Sequence, residues 1–216
     1  MLDRSIKAVL FDFDGTFGDT APDLVNAANY VFKEHNKDQL DFNTGRQIAS
    51  DGVKAFLDKR FDESKDDYKN LFDQFIDYYQ QHSNDNFVLF EGINELIDYL
   101  DKYQISWGIV TNKSRGLTER LLRLNGLYNR CGVIICGDDG LKPKPDPDML
   151  FSALKLFRIK SDEALYLGDG YRDIQAAKNA SIKSILVTYG YLKENDKYLD
   201  WGADYIINHP AELIEN

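Results

Sequence analysis

Five times along its 216 residues this chain repeats one local pattern, a short apolar run that stops in a polar or glycine-rich exit. The runs are IKAVLFDFD, WGIVTN, GVIICGD, ALYLGDG and SILVTYG. Each holds four to six mostly β-branched, aliphatic or aromatic residues without an alternating polar face. A strand buried on both faces reads this way, and such strands belong to parallel sheets covered by helices. Helical patterns lie between the runs. GINELIDYLDKY places Ile93, Leu96, Ile97 and Leu100 on one face, and DPDMLFSALKLF does the same with Met149, Leu150, Ala153, Leu154 and Phe157. YRDIQAAKNA is a third such segment. Strands alternating with helices predict an α/β fold with a doubly wound parallel sheet. In such a sheet a site forms outside the carboxyl ends of the strands.

The alternation fails after the first run. TAPDLVNAANYVFKEHN has Thr20 as N-cap and then Leu24, Ala27, Ala28, Val31 and Phe32 at helical spacing. DGVKAFLDKRF and DDYKNLFDQFIDYYQQHS also read as helices, and NDNFVLFEG returns to the sheet pattern. This predicts a core of residues 1–16 and 90–216, with an all-helical insertion over 17–89. The charged run FDESKDDYKN reads as a solvated helix face. No apolar stretch reaches the roughly 18 residues of a membrane span, and the N-terminal run is a core strand rather than a signal peptide. A net charge of −10 argues against nucleic acid, whose phosphates need clustered Lys and Arg. Cys131 and Cys136 are too few for a disulfide framework and read as reduced, buried packing residues of a cytoplasmic protein. A monomer or homodimer is expected.

The polar exits carry the chemistry. Asp12 ends the first run, and Asp14, two residues on, points the same way in extended backbone. Two adjacent carboxylates repel unless a cation or a shared proton compensates. Thr111 ends the second run, lysines follow the third in KPKPDP, and Asp169 and Asp173 follow the fourth in GDGYRD. Taken together they fit one mechanism. An aspartate attacks phosphorus, a second acid moves protons, and Mg2+ neutralises charge. A lysine and a hydroxyl hold the phosphoryl oxygens.

The order DFDGT, TN, KPDP, GDGYRD resembles the four motifs of the haloacid dehalogenase superfamily, over nearly the whole chain. DGTFGDTAPDL resembles its phosphoglycolate phosphatase-like branch, and the helical insertion resembles that branch's cap. The resemblance implies a Rossmann-like core and a Mg2+-dependent phosphatase acting on a small phosphorylated metabolite, with 2-phosphoglycolate as first guess. It implies that Asp12 is the nucleophile and forms an aspartyl-phosphate, while Asp14 is the general acid and base. The metal falls to the Asp12 carboxylate, the Asp14 backbone oxygen and Asp169, with Asp173 in the outer shell or linked through water. Thr111 and the backbone of Asn112 grip the phosphoryl oxygens, helped by the backbone of Phe13 and Gly15. The family pattern K-P-x-P-D fits from Lys144, which stands 25 positions before Asp169, and less closely from Lys142. Lys144 is therefore expected to pair with Asp12 and the phosphate, and Lys142 to be exposed.

GRQIASDGVKAFL resembles the branch's substrate-specificity loop, with Arg46 and Gly52 in place and Ser50 where a glycine is usual. Arg46 reads either as a surface charge or as a contact for a substrate carboxylate or another anionic group. An acid at position 14 disfavours carbon–halogen cleavage, and Thr16 favours phosphatases over phosphoglucomutases. A phosphosugar mutase, a pyrophosphatase or nucleotidase of the same branch, and a non-catalytic phosphate-sensing protein remain alternatives.

Overall fold

The structure is a computed structural model that describes residue 2 and residues 5–214. It divides into two compact units, one built from residues up to Gly18 and from Leu89 onward, the other from Asp19–Val88. In chain order the elements are β1 (Ala8–Phe11), β2 (Gly18–Asp19), α1 (Ala21–Glu34), α2 (Phe42–Gln47), α3 (Val53–Leu57), α4 (Tyr68–His82) and β3 (Val88–Leu89). They continue with α5 (Ile93–Lys102), β4 (Ser106–Val110), α6 (Arg115–Leu124), β5 (Val133–Ile135), α7 (Asp148–Phe157), β6 (Ala164–Gly168), α8 (Tyr171–Asn179), β7 (Lys183–Val187) and β8 (Tyr205–Ile207).

The first unit is built on a six-stranded parallel sheet ordered β5-β4-β1-β6-β7-β8. β1 sits between β4 and β6, with Ala8 beside Ser106 and Ala164, and Phe11 beside Ile109 and Leu167. Its four residues are all buried, which is why the run carries no polar face. The helices bury the stripes read from the sequence: Ile93, Leu96, Ile97 and Leu100 on α5, and Met149, Leu150, Ala153 and Leu154 on α7. Phe157 is half-buried against the same core cluster. The sixth strand, β8, was not among the five runs. It is a three-residue edge with two of its positions exposed, so its apolar signal is weak. Asp204 pins it by accepting both the N–H and the hydroxyl of Ser184 on β7, at 2.8 and 2.9 Å.

The second unit is helical. Thr20 holds the N-cap position of α1, whose buried stripe of Leu24, Ala27, Ala28, Val31 and Phe32 packs against α4. Two sequence expectations are corrected here. DGVKAFLDKRF is helical only over Val53–Leu57. The charged run preceding α4 is a loop, in which the Asp62 carboxylate accepts the backbone N–H of Ser64 and pairs with Lys65. Asp and Ser side chains compete in this way with helical backbone bonds. The α4 helix starts only where Asp67 caps the N–H of Asn70. The chain passes between the units through β2 and β3, which form a two-stranded sheet.

Candidate active site

The carboxyl ends of β1, β4 and β6 lie side by side, so their exit residues share one small volume. Asp12 follows β1 and is 3% exposed; its Oδ1 accepts the backbone N–H of Phe13 at 2.8 Å. Thr111 follows β4, with its N–H on the carbonyl of Ile135 and its hydroxyl bonded to Asp12. Asp169 follows β6, and Asp173 is three residues beyond Gly170 in the first turn of α8. Carboxylate oxygens of Asp12, Asp169 and Asp173 lie within 4.8 Å of one another, all from buried residues.

Lys144 supplies the compensating charge. Its ammonium is fully buried, 2.8 Å from Asp12 Oδ1 and 2.5 Å from Asp173 Oδ1. Two further contacts hold it in place. Asn112 brackets the backbone of Lys144, accepting its N–H at 3.0 Å and donating to its carbonyl at 3.2 Å. The Tyr166 hydroxyl on β6 accepts from the Lys144 ammonium at 2.8 Å, and lies 2.9 Å from the Val110 carbonyl and 3.1 Å from Asp173 Oδ1. Lys142 points away, its side chain 72% exposed, and pairs with Asp146.

These neighbours separate the three acids. Burial works to raise Asp12, but Lys144 and then Arg172 outweigh it, and Asp12 is held below the usual carboxylate range. Burial raises Asp173, against the pull of Lys144. Burial, then Asp173 and Asp12, push Asp169 up to about 8. Asp12 is therefore an anion at neutral pH, while Asp169 keeps a proton until a cation replaces it.

That donor set suits a hard divalent cation. Mg2+ takes oxygen ligands and is held by one or two carboxylates together with water and substrate phosphate. Both oxygens of Asp173 are already engaged, one by Lys144 and one by the N–H of Gly170, so Asp12 and Asp169 are the better placed ligands. The Asp14 carboxylate lies outside this cluster. It is turned to Lys113, whose ammonium donates to both its oxygens at 2.9 and 3.2 Å.

Gly15 has φ +82°, where a side chain is strained, and a Cβ there would stand 2.0 Å from Asp169 Oδ2. The close approach of this loop to Asp169 thus requires glycine. Arg46 and Gly52 belong to the other unit. Arg46 is ion-paired with Asp19, and Gly52, at φ +86°, precedes α3. Cys136 is buried and Cys131 half-buried; both are free, and burial pushes both thiols up to about 12.

Sequence reasoning left out Tyr166, Lys113 and Arg172. Tyr166 reads as one more aromatic in a buried strand, and Lys113 meets Asp14 across 99 positions of chain. A polar atom at the centre of an otherwise apolar run is the signal that marks Tyr166.

The family model for haloacid dehalogenase-like hydrolases matches residues 9–187. The chain is 36% identical to N-acetylmuramic acid 6-phosphate phosphatase of Pseudomonas aeruginosa, over 97% of this chain and 94% of that protein. It is 32% identical to phosphoglycolate phosphatase of Xanthomonas campestris, over 98% of this chain and 96% of that one. Among solved structures, a predicted phosphoglycolate phosphatase from Haemophilus somnus superposes with a TM-score of 0.87 at 23% identity, covering 97% of both chains. At that identity the superposition speaks for the fold.

Proposed function

As a chain that belongs to the haloacid dehalogenase-like hydrolases, this protein is a phosphoric monoester hydrolase, and we propose that it cleaves a small, carboxylate-bearing phosphate monoester by way of an aspartyl-phosphate on Asp12. The observation that carries the mechanism is the pairing of a buried, ionised Asp12 with the Lys144 ammonium at 2.8 Å. The pair gives a nucleophile that stays charged at neutral pH beside a cation that draws in the phosphoryl group.

Asp12 attacks phosphorus, forming the Asp12–phosphorus bond as the bond to the ester oxygen breaks. Asp14, which in this structure is turned to Lys113, must leave that partner and carry a proton to give it to the departing oxygen. Water then yields a proton to Asp14 and attacks phosphorus, releasing inorganic phosphate and restoring Asp12. Thr111, the backbone of Phe13, Gly15 and Asn112, and Lys144 hold the phosphoryl oxygens through both steps. Asp12, Asp169 and the Asp14 backbone oxygen, with Asp173 behind them, would hold Mg2+, which would supply the charge neutralisation that lets one anion approach another.

The substrates in the relatives' names share two features, a phosphate on a primary carbon and a free carboxylate. N-acetylmuramic acid 6-phosphate and 2-phosphoglycolate are therefore the two candidates, and the cytoplasm is the setting that suits either. We assign the inserted helical unit the role of cap, with Arg46 and Gly52 as its recognition residues. Arg46 already serves Asp19, so a substrate carboxylate would share or displace that partner.

Phosphate release measured across a panel of carboxylated and uncarboxylated primary phosphates tests the substrate class. Preference for the carboxylated members, reduced in Arg46→Ala, is expected. Equal turnover across the panel would remove the carboxylate from the proposal. Asp12→Asn is expected to abolish release from p-nitrophenyl phosphate while the fold is kept. Retained turnover in that variant would sink the nucleophile assignment.

A further inference from the structure

The exit of β7, Thr188–Tyr191, plays no part in the chemistry above, yet it is packed against the acid cluster at several points. The backbone N–H of Tyr191 donates to Asp169 Oδ2 at 2.8 Å. Gly190 lies so close that a Cβ there would stand 2.3 Å from the Gly15 carbonyl, 2.5 Å from Asp169 Cβ and 2.8 Å from Asp169 Oδ2. The Tyr189 hydroxyl donates to the carbonyl of Thr16 at 3.2 Å. The ring of Phe90 lies against both tyrosines, with centroids 5.0 Å from Tyr189 and 6.4 Å from Tyr191. At its start the loop is tied outward, the Thr188 N–H donating to Ile207 at the end of β8 and its hydroxyl bonding Asn208.

Asp169 is thus held from two sides. Gly15 approaches one of its oxygens, and Tyr191 donates to that same oxygen, while Gly190 lets the two loops close on each other. The bond from Tyr191 removes rotational freedom that a carboxylate at a strand exit would otherwise have. Ligand carboxylates are commonly oriented by such partners, and removing the partner lowers metal affinity about 10–100-fold.

We propose that the Thr188–Tyr191 loop is the positioning element for Asp169, and that its closure on Gly15 and Thr16 sets the affinity of the site for a divalent cation. The inference rests on the assignment of Asp169 as a metal ligand. Its residues act through Asp169 and touch no reacting atom.

The test is Mn2+ binding to the full chain, followed by electron paramagnetic resonance with Mg2+ as competitor and no substrate present. Wild type is compared with Gly190→Ala and Tyr189→Phe, and thermal unfolding in chelator reports whether each variant is folded. Gly190→Ala, folded, is expected to bind Mn2+ at least about tenfold more weakly, since its methyl group must push Asp169 or Gly15 aside. A folded Gly190→Ala with wild-type Mn2+ affinity overturns the inference. If Gly190→Ala does not fold, Tyr189→Phe decides. It loses one hydroxyl and keeps the ring, so weaker Mn2+ binding at an unchanged unfolding temperature supports the loop's role, and unchanged binding overturns it. A wild-type chain that binds no Mn2+ removes the metal assignment itself and this inference with it, a result distinct from failure of the variants alone.

Discussion

Raising the pH should tighten Mg2+ binding in a way that can be worked out from Asp169. Burial and the neighbouring Asp173 and Asp12 lift this carboxyl to about 8 in the metal-free chain. A carboxylate ligand must lose its proton before it binds a cation. The ionised fraction is then about 1% at pH 6, about 9% at pH 7, about 50% at pH 8 and about 91% at pH 9. Apparent affinity should rise roughly ninefold from pH 6 to 7, roughly fivefold to sixfold from 7 to 8, and less than about twofold from 8 to 9. Over the whole span that is about 2.7 kcal/mol. Isothermal titration calorimetry in buffers of different ionisation enthalpy reads the same event directly. About 0.9 proton should be released per Mg2+ at pH 7 and about 0.1 at pH 9. Stability has the matching sign. Asp169 is raised in the folded chain, so the stability it contributes is complete below its unfolded value of about 3.9 and is lost as pH rises through about 8. The rise in melting temperature on adding Mg2+ should therefore grow between pH 6 and 8. A flat affinity from pH 6 to 8 with no proton release at pH 7 would refute the reasoning, because it would mean Asp169 is already ionised.

Further outcomes follow from the same contacts. Lys144→Ala should lose nearly all turnover and destabilise the chain by about 3–5 kcal/mol in chemical denaturation, because buried carboxylates are left without their cation. Lys142→Ala should match wild type in both measurements; the reverse result would move the motif by two residues. Tyr166→Phe removes one hydroxyl between Lys144, Asp173 and Val110. A bond to a charged group contributes about 1.5–3 kcal/mol, so kcat should fall about 10–100-fold with KM little changed. Steady-state kinetics that show only a raised KM would remove Tyr166 from the catalytic support. Iodoacetamide at pH 8 should leave activity intact, since burial pushes the thiols of Cys131 and Cys136 to about 12 and thiolate is the reactive form. Rapid inactivation would contradict that.

The sheet was legible because every buried parallel strand must end where its backbone bonds end, and here each apolar run stops at a polar residue. Asp12, Thr111 and Asp169 could be placed at one edge from that alone. Lys144 needed the spacing to Asp169 as well, and in the structure it is the lysine of the pair that is buried. Tyr166 stayed hidden because an aromatic residue in a buried strand is ordinarily packing, and only its hydroxyl distinguishes it. Lys113 meets Asp14 across 99 positions and Tyr189 meets Thr16 across 173, and no local pattern encodes such a meeting. β8 and the short α2 were missed because three and six residues give too little periodicity. α6 had a readable stripe in Leu117, Leu121 and Leu122, set among arginines that mask it.

The central position of β1 has a consequence for how the protein is made. Ala8 pairs with Ser106 and Ala164, partners 98 and 156 residues further along. A ribosome adds about 5–20 residues per second, so β1 waits roughly 5–20 s for its first neighbour and roughly 8–31 s for its second. Meanwhile the residues of 19–88 emerge and can fold on one another. A fully apolar strand with both edges unpaired invites association with other nascent chains, and long-range pairing of this kind closes slowly. Yield in a cell should therefore respond to chaperone supply and growth temperature through β1, the strand that carries Asp12 at its end.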